Sequence, residues 1–159
     1  MAKRVVEKVS RIHPKAAVIT LHPYLPSEDD QLIGARDWGL PGLEEKLQVT
    51  RDIFRDDVRK IRTTNWPSRL PNRDVLLRVY RNSKVPEDHV FFANPLCVGF
   101  SKGHAQSVVE AIHGAGALVY VHDIRREFRP GDDLDPLWIE HARQLKNAQM
   151  GQYRKQKSS

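Results

Sequence analysis

A chain of 159 residues, 40% hydrophobic and 29% charged, is long enough for one packed domain and too apolar to stay disordered. No stretch approaches the roughly 20 apolar residues of a membrane span. The charged start, Met1-Ala2-Lys3-Arg4-Val5-Val6-Glu7-Lys8, lacks the apolar centre of a secretory signal, so a cytoplasmic setting is expected. The net charge of +6 resides in one third of the chain: ten basic residues oppose four acidic ones between Arg51 and Lys84, and the remainder balances. A single Cys97 excludes an internal disulfide and gives no zinc-site spacing.

In chain order, Ala16-Ala17-Val18-Ile19-Thr20-Leu21 lies between Pro14 and Pro23 and reads as a buried strand. Ser27-Glu28-Asp29-Asp30 supplies a cap and acidic first turn for a helix that runs to about Trp38 and stops at Gly39-Leu40-Pro41-Gly42. Leu43, Leu47, Phe54, Val58 and Ile61 recur at helical spacing, and Arg51, Arg55, Arg59 and Arg62 form a second stripe beside them. This predicts an arginine-faced helix. Residues 63–71 read as a loop. The pattern from Asp74 to Arg81 leaves helix and strand open, with Pro86 ending the element.

His89 to Ala93 predicts a strand, broken at Asn94-Pro95 and followed by an irregular or extended Leu96 to Phe100. Ser101 to His113 predicts a helix closed by Gly114-Ala115-Gly116, and Ala117 to Val121 a buried strand. Strand, helix and strand in this order make a right-handed parallel unit. A last helix is expected from about Asp135 to Gln149, then a basic, frayed tail over residues 151–159. The expected fold is one α/β domain over residues 1–150, a three-layer sandwich around a small, mostly parallel, Rossmann-like sheet.

Ligands of such sheets bind beyond the carboxyl ends of the strands. That rule selects His22, Tyr24, Ser27, Glu28 and Asp29 after the first strand. It selects Asn94, Ser101, Lys102 and His104 after the second, and His122, Asp123, Arg125 and Arg126 after the third. If the chain is an enzyme, Ser27 is the candidate nucleophile, with His104 and His122 as candidate bases. The alternative for Ser27 is an ordinary helix cap. Lys102, at the start of a helix with free amides, is a candidate phosphate contact. Arg51, Arg55, Arg59, Arg62 and Arg69, with Trp66 as a stacking group, are the candidate nucleic-acid contacts. No metal-ligand spacing and no dinucleotide or Walker motif is present, so no metal or cofactor is expected.

Two segments resemble the catalytic domain of serine recombinases, the resolvase/invertase family. One is Ala17-Val18-Ile19 followed by Ser27-Glu28-Asp29-Asp30-Gln31, because that family has a strand, a serine, and four residues later a glutamine that begins a helix. The other runs from Val108 to Val119, similar to the family's helix that ends in a small-residue turn before a strand. Together they cover roughly a quarter of the chain. The resemblance implies a resolvase-like fold, an association with DNA, and an origin in a mobile element. The family's arginine two residues before the serine is Leu25 here, and its Asp-Arg-x-x-Arg-Ser element falls on Ser101-Lys102-Gly103-His104-Ala105-Gln106-Ser107, which has no arginine. Without those guanidinium groups phosphoryl transfer lacks its electrostatic stabilisation, which implies a degenerate, non-catalytic member.

Three functions follow as expectations. The first is a non-catalytic nucleic-acid-associated protein. The second is a small enzyme acting on a phosphorylated or nucleotide substrate through His22, Ser27, Lys102, His104 and His122. The third is a protein-binding or self-associating assembly subunit.

Overall fold

The computed structural model of the protein describes residues 15–23, 25–39, 53–58, 70–82, 88–99 and 101–158, with side chains to residue 150. Strand β1 (Lys15–Leu21) is buried along almost its whole length, as its apolar run requires. Helix α1 (Glu28–Trp38) follows, with Ser27 as its cap and Gly39 at its end in the left-handed conformation. Strand β2 (Ile53–Asp57) pairs with β1 in parallel, from Ala17 opposite Ile53 to Leu21 opposite Asp57.

Strand β2 corrects the sequence reading, which placed these residues in an arginine-faced helix. Phe54 and Val58 do lie four apart, but the free edge of β1 offers a ladder of long-range hydrogen bonds that local periodicity cannot see. Along the strand, Phe54 and Asp56 turn to one face of the sheet and Ile53, Arg55 and Asp57 to the other. Among the described residues β2 is one edge of the sheet, and of its three charges only Asp57 is exposed.

Helix α2 (Pro71–Asn82) settles the segment whose pattern left helix and strand open, burying Leu76, Leu77, Val79 and Tyr80. Strand β3 (His89–Phe92) leads into a short helix, α3 (Pro95–Val98), where an irregular segment was expected. The side chain of Asn94 accepts from the Cys97 amide at 3.0 Å, and Pro95 begins the turn with its φ already set. Helix α4 (Lys102–Gly114) and strand β4 (Leu118–Val121) complete the expected parallel unit. Strand β5 (Arg126–Phe128) then returns antiparallel to β4. Helix α5 (Asp135–Ser158) continues through the stretch expected to fray.

The sheet order is β2-β1-β3-β4-β5, with the first four strands parallel. The fold is therefore α/β with a five-stranded, mostly parallel sheet. α1 covers one face, where Trp38 stacks on Tyr120 at 5.2 Å and packs against Phe91. α2 and α4 pack together on the other face. α5 lies against α3 and α4 and presents Leu137, His141, Gln144 and Ala148 at spacings of three and four. Gly99 lets the backbone pass close against the first turn of α4, since a Cβ there would stand 2.4 Å from the Ala105 amide nitrogen; its carbonyl accepts from His141 Nε2 of α5 at 2.8 Å. Among the described residues no helix is long and apolar enough to cross a membrane.

Candidate functional site

Because four strands are parallel, their carboxyl ends share one edge, and the chain order puts the starts of α1, α2, α3 and α4 there too. The neighbour order places the topological switch point between β1 and β3, where doubly wound sheets usually open a ligand crevice. Among the described residues, the buried side chains of Gln31 and Cys97 occupy that crevice. β1 runs past the end of β3, and Gln31 takes over the missing strand's hydrogen bonds. Its Oε1 accepts from the Thr20 amide at 3.2 Å, while Nε2 donates to the Thr20 carbonyl at 2.7 Å and to the Pro26 carbonyl at 2.8 Å. The buried Cys97 thiol lies 3.8 Å from the same Oε1. Burial pushes that thiol up to about 12, so it is neutral and unreactive.

On the α2–α4 face stands a buried polar group that no sequence motif revealed. The Asp56 carboxylate accepts from the amides of Asn72 at 3.0 Å and Arg73 at 2.9 Å, capping α2 from the neighbouring strand. Arg73 is fully buried, and burial lowers its guanidinium to about 10, so it remains a cation at neutral pH. It donates to the Val98 carbonyl at 2.8 Å and meets His104 Nε2 at 2.8 Å. An arginine has no acceptor, so Nε2 accepts and the His104 proton sits on Nδ1. Burial, then the charge of Arg73, hold His104 below the usual histidine range. The nitrogen that would act as a base is thus committed to Arg73.

His122 lies on the opposite, α1 face. Its ring rests on Gly34, where a Cβ would approach Cδ2 to 2.9 Å. Nδ1 is 3.1 Å from the Tyr120 hydroxyl, and Arg125 reaches both ring nitrogens, at 2.9 and 2.6 Å. Burial, then Arg125, push its pKa down. Ser27 Oγ accepts from the Asp30 amide at 3.1 Å, the geometry of an N-cap. No described hydrogen bond joins Ser27, His104 and His122, and the two histidines are on opposite faces of the sheet. His22 is buried just after β1, and Lys102 is exposed at the start of α4. Tyr24 lies outside the described residues.

The basic third is split by the fold. Arg55 pairs with Glu28 of α1 and lies 3.9 Å from Asp57. Arg73 is interior, whereas Arg78 and Arg81 are exposed on α2. Arg51, Arg59, Arg62, Trp66 and Arg69 lie outside the described residues. The described chain leaves the carboxyl edge at Val58 and re-enters it at Leu70.

The carboxyl edge does open elsewhere. Beyond β3 and β4 a cavity of about 410 Å3 is lined by Asn94, Asp123, Gln144 and Asn147, over buried Leu96 and Ala148. The ladder continues past β4: His122 and Asp123 amides donate to the carbonyls of Phe92 and Ala93, at 2.9 and 3.0 Å, which fixes Asp123 beside Asn94. Gln144 Nε2 donates to Asp123 Oδ2 at 2.7 Å. Burial raises the Asp123 carboxyl despite that bond. Among the described residues no group of three or more His, Cys, Asp or Glu is placed to hold a metal ion.

No family model, curated protein or solved structure matches this chain. Asn94 and Asp123 were selected by the strand-end rule, but Gln144 and Asn147 of α5 were not. Their helix follows β5 and carries no motif, and only the contact with Asp123 brings Gln144 to the edge. Asp56 and Arg73 carry no sequence motif, since a sequence cannot show that the two meet in the interior.

Proposed function

We propose that this protein is a non-catalytic nucleic-acid-binding domain that uses the basic segment Arg51–Lys84 as its contact surface. The observation that carries the reading is the location of the charge. The whole excess of six lies in that segment. Its described part leaves and re-enters the fold at the carboxyl edge, and Arg78 and Arg81 project into solvent from α2. A local positive field of this kind attracts polyanions and releases their counterions.

The groups that would be needed for chemistry support the non-catalytic half. Ser27 caps α1, His104 accepts from Arg73, and His122 is held by Tyr120 and Arg125. The likeness to serine recombinases fits a degenerate, resolvase-like domain: Ser27 precedes α1 and Gln31 lies in its first turn, but Leu25 replaces an arginine. Gln31 here serves the backbone of β1 rather than a substrate.

Fluorescence anisotropy with labelled duplex DNA, single-stranded DNA and RNA tests the reading. Binding should weaken steeply between about 50 and 200 mM salt. The double variant Arg78→Gln/Arg81→Gln should lower the salt slope by about two, one for each lost phosphate contact. Absence of binding to all three polymers at low salt overturns the proposal.

A further inference from the structure

The cavity beyond β3 and β4 has a chemistry that the basic segment does not share. Asn94 Oδ1 is used by the Cys97 amide, which leaves the Asn94 amide nitrogen as the donor end. Gln144 donates to Asp123 and, at 3.1 Å, to Glu140, which leaves its oxygen as an acceptor. Asn147 is exposed and offers both. Carboxylate and carboxamide groups thus supply both acceptors and donors above the buried side chains of Leu96 and Ala148. That pattern matches a flat heterocycle with a mixed hydrogen-bonding edge. Carboxamides pair with the amino and ring nitrogens of adenine, and carboxylates accept from the amino group of cytosine. Arg143 also lines the cavity and is exposed, held by Glu140 Oε1 and, through Nε, at 3.1 Å. A volume of about 410 Å3 lies within the range of small-ligand sites, roughly 300–1,000 Å3.

We propose that this cavity is a nucleoside phosphate site, with the base lying on Leu96 and Ala148, its edge on Asp123, Gln144 and Asn147, and the phosphate toward Arg143. Asp123 is held by the continued β4 ladder, by the Ile124 amide and by Gln144 of α5, so its position is set before a ligand arrives. Its half-buried carboxyl, raised by desolvation, suits an uncharged polar edge better than a second anion. The proposal uses none of the residues of the basic segment. The ligand has two sources, a free mononucleotide or one base of a single strand, and both present the same chemistry.

Calorimetric titration of the full chain with AMP, GMP, CMP and UMP in turn should give saturable one-to-one binding for at least one of them. Asn147→Leu, on an exposed helix face, should weaken that binding at least about tenfold with an unchanged thermal unfolding midpoint. Asp123→Asn should change which base is preferred. In a second arm, a single-stranded oligonucleotide is compared with an abasic strand of the same length. A tenfold preference for the base-bearing strand that Asn147→Leu abolishes assigns the site to bases of a strand. Equal strand affinities beside saturable mononucleotide binding assign it to free nucleotides. No saturable mononucleotide binding together with equal strand affinities overturns the proposal, as does unchanged binding by Asn147→Leu. Both results are separable from failure of the basic-segment reading, in which neither strand binds at all.

Discussion

Two gaps lie along the same edge of the sheet, and the fold treats them differently. Between β1 and β3, at the topological switch point, Gln31 and Cys97 fill the space, and the backbone of Thr20 is paired by a side chain instead of a strand. Beyond β3 and β4, Asn94, Asp123 and Gln144 line a cavity whose polar groups point at one another and at open space. The first gap is a structural joint and the second has the composition of a binding site. Topology alone would have chosen the first. The switch point marks where strands diverge, while the side chains decide whether the opening survives.

This contrast predicts large stability effects on the closed side and small ones on the open side. Arg73→Leu, next to the joint on the α2–α4 face, should cost the most. It leaves the Val98 carbonyl and His104 without their buried cationic donor, a loss on the order of 3–5 kcal/mol by chemical denaturation. Gln31→Leu should cost about 2–4 kcal/mol, because the Thr20 amide and carbonyl lose buried partners, at roughly 1–3 kcal/mol for each unsatisfied group. An unaltered denaturation midpoint for Gln31→Leu would mean that water reaches Thr20 and that the crevice is open.

Acid should loosen the protein through its histidines. Burial first, with a neighbouring cation adding to it, holds His104, His122 and His141 below their ordinary 6.5. The unfolded chain therefore binds more protons, and stability rises with pH across this window. It is fully present above about 6.5 and declines as pH falls toward and through the lowered values, which a series of thermal melts will show. Ser27→Ala should cost about 1 kcal/mol and Ser27→Gly a few tenths, the signature of a cap. Asp123→Asn should change stability least, within about 0.5 kcal/mol, because the folded state already disfavours the ionised carboxyl.

The fold was legible wherever burial and local pattern agreed. β1, α1, β3, α4 and β4 are apolar runs or capped amphipathic segments, and their order predicts a parallel sheet. β2 was misread because Ile53-Phe54-Arg55-Asp56-Asp57 carries three charges, two of them used internally: Arg55 by Glu28, and Asp56 by the amides of α2. A charge matched by a distant partner looks in the sequence like a charge for solvent. β5 has only Phe128 buried in three residues, too little pattern to register. Of the cavity, the strand-end rule found Asn94 and Asp123. Gln144 and Asn147 come from a helix placed by the contacts of His141 with Gly99 and of Gln144 with Asp123, which are properties of tertiary packing.

The most direct test of the contrast is a 15N-resolved NMR titration with the nucleoside monophosphate that binds best by calorimetry. Saturable shifts are expected in the side-chain amides of Asn94, Gln144 and Asn147 and the backbone amide of Asp123, with the amides of Thr20, Gln31 and Cys97 unmoved. Shifts centred on Thr20, Gln31 and Cys97, with Asn147 unaffected, would contradict the contrast and return the ligand site to the switch point.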